Sequence, residues 1–167
     1  MLYHGSNVYI EDTLIPHKSF HYEPYVYATS DYFYALVRAG RFNANNLTLK
    51  EDYDGLKHTL IELKENAFKE VFDSGGYIYL VDDSNFYTAE KCMPNEYIST
   101  KECKIVQKIY IPNLFEEINK CLSIYINLIR YGSAEEKEYW KTVRGGKEGY
   151  LQRRQERVEK LRGKSNG

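Results

Sequence analysis

The 167-residue chain is poor in cysteine, and the three it has (Cys92, Cys103 and Cys121) are an odd set at no metal-ligand spacing. A disulfide scaffold and a zinc ribbon are therefore not expected. No apolar run approaches the roughly 18–20 residues that a membrane-spanning helix needs. The opening stretch MLYHGSNVYIEDT lacks the basic and apolar regions of a secretory signal, so a reducing cytoplasm is the expected compartment. Neither the glycine fingerprint of a dinucleotide-binding βαβ unit nor a P-loop occurs, which removes the two commonest nucleotide-binding routes. Internal repeats are absent as well.

What is present is a core-forming composition. Hydrophobic residues make up 43% of the chain, and 17 tyrosines carry most of an aromatic share of 15%. That is enough apolar material for one folded domain. The net charge of −1 conceals a split. Residues 1–140 hold 14 basic and 21 acidic side chains, whereas residues 141–167 hold nine basic and three acidic ones. An acidic body spanning 1–131, followed by a charged and basic helical extension over 132–167, is the expected organisation.

Pattern reading gives short strands at Leu2–His4, Tyr25–Thr29, Tyr77–Val81, Glu96–Ser99 and Ile105–Ile111. A short helix follows Tyr25–Thr29, with Thr29 or Ser30 as its cap and Asp31 in the first turn. Apolar positions 60, 63, 67, 68, 71 and 72 have helical spacing. Asn113 with Glu116 opens a helix whose apolar stripe runs from Leu114 to Ile129, and Ser133 with Glu136 opens another. Residues 11–24 and 43–58 read as irregular. The sum is an α+β chain with helices gathered towards the C-terminus.

Three segments carry chemistry-bearing residues: Tyr3-His4-Gly5-Ser6 at a strand end, Val26-Tyr27-Ala28-Thr29-Ser30 running from strand into helix, and Asn95-Glu96-Tyr97-Ile98-Ser99 opening a late strand. A histidine beside a glycine offers a ring nitrogen and a closely approachable backbone. A strand tyrosine is a rigid platform for a flat ring. A carboxylate can stabilise the positive charge of an oxocarbenium-like state.

The ordered triple resembles the ADP-ribosyltransferase fold in its His-Tyr-Glu branch, typified by diphtheria toxin and the poly-ADP-ribose polymerases. The resemblance covers roughly residues 2–111. It implies a split pair of small, mostly antiparallel sheets forming a cleft for NAD, which serves as substrate without a metal. By this resemblance the NAD-binding residues are His4, Gly5, Ser6, Tyr27, Thr29 and Tyr34, and the catalytic residue is Glu96. His4 would hold the adenosine-side ribose, the Gly5 backbone would pair with the carboxamide, and Tyr27 would stack on nicotinamide. The second stacking ring usual in the family falls to Tyr34 rather than Tyr32, at a shorter spacing than usual. Glu96 would contact the nicotinamide-side ribose and orient the acceptor, and His21 or Tyr22 would touch the dinucleotide from a loop over the cleft.

The implied activity is transfer of ADP-ribose to an unidentified macromolecular acceptor, or to water. Two related readings stay open: a degenerate member that binds ADP-ribose or a partner without turnover, and an RNA 2′-phosphotransferase-like enzyme, against which the strand glutamate argues. The basic tail reads either as a solvated helix with Glu148, Glu156 and Glu159 pairing its cations, or as a contact for nucleic acid or protein.

Overall fold

The computed structural model describes residues 1–18, 23–50, 55–90 and 92–165. In chain order the elements begin with β1 (Leu2–Ser6), β2 (Thr13–Leu14), β3 (His17–Lys18), β4 (Pro24–Thr29) and α1 (Tyr32–Arg38). Then come β5 (Leu47–Leu49), β6 (His58–Glu62), α2 (Ala67–Val71), β7 (Gly76–Val81), β8 (Glu96–Ser99) and β9 (Cys103–Ile111). The chain continues through α3 (Leu114–Cys121), β10 (Ile126–Ile129), α4 (Ala134–Lys141) and α5 (Gly146–Ser165).

Seven strands form one antiparallel sheet, in the order β2-β9-β7-β1-β4-β3 with β8 also pairing β4. A second sheet runs β10-β6-β5, its β10–β6 pair parallel and its β5–β6 pair antiparallel. The chain is thus α+β. No helix among the described residues is long and apolar enough to cross a membrane.

Strand alternation divides the large sheet into two faces. One face packs Ile78 and Ile111 against Ala35, Leu36 and Val37 of α1, Phe68 and Val71 of α2, Leu114 and Ile118 of α3, and Leu47, Leu60 and Ile126 of the small sheet. The other face carries a smaller core of Leu2, Leu14, Val26, Ala28, Tyr79, Val81 and Cys103. Gly5 explains how α1 sits so low on the first face. A Cβ at Gly5 would lie 1.8 Å from the Ala35 carbonyl oxygen, so only glycine admits the helix here.

Two helical expectations are corrected. The apolar positions from 60 to 72 are not one helix: β6 ends at Glu62 and α2 begins at Ala67. A strand buried on both faces, as β6 is at His58, Leu60, Ile61 and Glu62, has no alternation to betray it, and its apolar residues merge with those of the next helix. Likewise the stripe from Leu114 divides, α3 stopping at Cys121 and Ile126–Ile129 pairing with β6 as a strand. Residues 43–58 are not wholly irregular, because Leu47–Leu49 extend the small sheet, and Thr13–Leu14 and His17–Lys18 are short strands.

The caps at Asn113 and Ser133 form as expected, each side-chain oxygen accepting from the amide of the glutamate three residues on, at 3.0 Å. At α1 the cap is Asp31 itself, while the Thr29 hydroxyl accepts from the Asp31 amide at 3.0 Å.

The C-terminal helices pack on the small sheet. Trp140 of α4 is buried with Ile61, Leu63 and Ile129. Two cations of the basic stretch bond back to the body of the protein, and a third bonds within the stretch. Lys147 donates to the Leu63 carbonyl at 2.9 Å, and Arg153 to the Arg144 carbonyl at 2.9 Å. Arg154 donates to the Tyr150 and Thr48 hydroxyls at 2.6 and 3.1 Å.

Candidate functional site

Strand β4 is the hub of the three motif segments. On one side β1 pairs with it through Tyr3 opposite Thr29; on the other β8 pairs along Val26–Ser99, Tyr27–Ile98, Ala28–Tyr97 and Thr29–Glu96. The β1–β4 register stops after that one pair, and the next bond across the gap comes from a side chain. His4 Nδ1 donates to the Tyr27 carbonyl at 2.6 Å. A carbonyl only accepts, so Nδ1 carries the proton, and the neutral ring keeps Nε2 as an acceptor. Burial pushes the imidazole below its ordinary value, with the bond to Tyr27 opposing and the His17 and Arg38 charges assisting. His4 is therefore neutral near pH 7.

The motif residues do not all share one face. Tyr27, Thr29 and Glu96 project from the α1 side of the sheet, together with Tyr3 and Gly5. His4 projects from the other, opposite Tyr79, with the ring centroids 6.3 Å apart. Its imidazole reaches Tyr27 through the gap between β1 and β4. The three segments meet at β4, with Glu96 across that strand from β1, and the side chains of His4, Tyr27 and Glu96 do not converge on one face.

Tyr27 is half-buried, and its ring meets Tyr25 edge-on at 6.0 Å and His17 edge-on at 6.5 Å. Ser6 accepts from the Val8 amide at 3.1 Å and Thr29 serves the start of α1, so both hydroxyls have local structural work. His21 and Tyr22 lie outside the described residues. Glu102, the next carboxylate along the chain, is exposed directly before the β2 partner Cys103 and is not part of this cluster.

Glu96 opens β8 just after Asn95, whose φ of 66° is a left-handed conformation that asparagine tolerates well. Glu96 is buried, 8% exposed. Its Oε2 accepts from the Tyr34 hydroxyl at 3.0 Å, and its Oε1 receives a longer contact from the Met93 amide at 3.4 Å. Tyr34 is itself buried. Burial and the neighbouring Glu96 charge push its phenol well above the ordinary value, with Arg38 opposing, so it remains a neutral donor. Its ring lies tilted over His58 at 5.3 Å, and in this arrangement its chemical contribution is the hydroxyl on Glu96.

Two residues of the cluster carry no motif signal. His58 Nε2 donates to Asp31 Oδ2 at 2.7 Å, which ties the small sheet to the first turn of α1. Burial alone would raise the Asp31 carboxyl, but the His58 bond and the Tyr34 and Phe33 amides outweigh it and hold the group below its ordinary value. Asp31 was legible only as a helix-start residue, and His58 had no local signal at all.

Among the described residues, no three His, Cys, Asp or Glu side chains are grouped as metal ligands. No family model, curated protein or solved structure matches the chain.

Proposed function

We propose that the chain is an ADP-ribosyltransferase-like protein that binds NAD across the gap between β1 and β4 and cleaves the bond between nicotinamide and ribose. The observation that supports this most is the meeting of all three motif segments on β4: His4 on the Tyr27 carbonyl, and Glu96 opposite Thr29 in the adjoining strand. In this reading His4 Nε2 accepts from a hydroxyl of the adenosine-side ribose. The half-buried Tyr27 ring supports the nicotinamide, and the backbone at Gly5 receives the carboxamide.

Glu96 supplies the negative charge. As the glycosidic bond lengthens, positive charge develops on the ribose, and an ionised carboxylate kept from bulk water stabilises it more than water does. The leaving group departs as neutral nicotinamide. An acceptor nucleophile, or water, bonds to the ribose carbon and gives up its proton. The products are nicotinamide and ADP-ribosylated acceptor, or free ADP-ribose.

A second reading draws on the same geometry. Both Glu96 oxygens already have protein contacts, which favours a module that holds ADP-ribose without turnover. Nicotinamide release by the wild-type chain and by Glu96→Gln, measured beside NAD and ADP-ribose binding, separates the two. Turnover lost in the variant with binding kept supports the enzyme, whereas binding without turnover in the wild type supports the module.

A further inference from the structure

Tyr34 is held at three points, and only one of them is Glu96. Its backbone amide donates to Asp31 Oδ1 at 3.3 Å, beside the Phe33 amide at 2.9 Å, so Asp31 fixes the turn that carries it. Its ring rests against His58, which is 3% exposed at the start of β6. His58 is anchored from outside α1: its amide donates to the Tyr125 carbonyl at 3.0 Å, and it stands opposite Ile126 in the parallel pair with β10. The second oxygen of Asp31 takes the His58 Nε2 proton at 2.7 Å. The Asp31 amide in turn donates to Thr29 Oγ1, and Thr29 is the strand partner of Glu96. The chain of contacts from Glu96 through Tyr34, His58, Asp31 and Thr29 therefore closes on itself.

We propose that Asp31 and His58 are positioning residues that set the Tyr34 hydroxyl against Glu96, and so fix the direction of the Glu96 carboxylate. The consequence for catalysis rests on the NAD-cleaving reading; the mechanical linkage does not. A tyrosine has two side-chain torsions. Asp31 fixes the backbone from which they start and His58 blocks one side of the ring, leaving the hydroxyl little freedom. Misplacement of a reacting group by about 1 Å costs on the order of 100-fold in rate, so a strut of this kind matters to turnover more than to binding. His58 also joins the small sheet to the site, which makes the two-sheet architecture part of the site's precision.

The test uses the full-length protein and two readouts. Asp31→Ser keeps a capping hydroxyl for α1 but removes the partner of His58, so this variant retains the fold. His58→Phe keeps a ring against Tyr34 without the donor, and His58→Gln restores a donor near Nε2. The first readout is a double-mutant cycle on the unfolding equilibrium, with Asp31→Ser and Tyr34→Phe made singly and together. If Asp31 sets the hydroxyl, the constant of the double variant departs from the product of the single effects by about threefold or more; simple multiplication overturns the proposal. The second readout is nicotinamide release. His58→Phe and Asp31→Ser should lower kcat at least about tenfold with KM for NAD within about twofold, and His58→Gln should recover much of the loss. A raised KM with unchanged kcat overturns the positioning role. If the wild-type chain releases no nicotinamide, the NAD-cleaving reading falls, and the cycle alone still decides the linkage.

Discussion

The Tyr34 hydroxyl donates to Glu96 Oε2 at 3.0 Å, joining the first helix to the last motif strand across 62 residues of sequence. Both groups are buried, so loss of the carboxylate leaves the phenol without this acceptor. Glu96→Gln keeps an acceptor oxygen for the phenol and should change stability by less than about 1 kcal/mol. Glu96→Ala leaves a buried hydroxyl without that acceptor and should cost about 1–3 kcal/mol. Urea denaturation of the two variants reads the difference. Equal losses would mean that the bond contributes nothing to the fold.

Close approach of α1 to β1 makes a second prediction. At Gly5 an added methyl would meet backbone, the Ala35 carbonyl oxygen at 1.8 Å, and backbone cannot rotate away. Gly5→Ala should cost about 3 kcal/mol or more, at the upper end of overpacking effects. Gly132→Ala is the control: φ there is +78°, but nothing lies within 4 Å of the added carbon. Its cost should stay near the 1–2 kcal/mol of a left-handed residue. Similar losses at both sites would contradict the tight packing at Gly5.

Protonation of His4 should be visible in stability. Its folded value lies below the unfolded value of 6.5, so the unfolded chain binds the proton more readily. The stability linked to a neutral His4 is then fully present above about pH 6.5 and is lost as pH falls through the lower folded value. His4→Asn retains a donor for the Tyr27 carbonyl and does not titrate. Urea midpoints measured between about pH 7 and 5 should show the wild type losing its stability relative to this variant as the solution is acidified. Parallel profiles would show that His4 is not held neutral by the fold.

How much of this was legible in the sequence depended on how local the cause was. The caps at Asn113 and Ser133 could be read directly, because a capping bond spans three residues. The same holds for Tyr25–Thr29 and Tyr77–Val81, whose β-branched and aromatic runs lie between turn residues. Leu60–Ile61 could not be told from helix because a strand buried on both faces loses its alternation, Ile126–Ile129 is too short to show one, and their parallel pairing joins segments more than 60 residues apart.

In the site, His4, Tyr27 and Glu96 stood out through motif order. That His4 and Glu96 would lie on opposite faces of the sheet followed only from strand register. The side-chain partner of His58 is Asp31, 27 residues away, and a single histidine in a polar stretch gives no hint of such a partner.

The central claim is that the cluster around β4 cleaves NAD, and it is tested most directly by free nicotinamide. Wild-type protein incubated with NAD should release nicotinamide, and Glu96→Gln should lower that rate by about 100-fold or more while its affinity for NAD stays within about twofold, as expected when a charge that acts only in the transition state is removed. A wild-type chain that neither binds NAD nor releases nicotinamide, or a Glu96→Gln variant that releases it at the wild-type rate, would contradict the account.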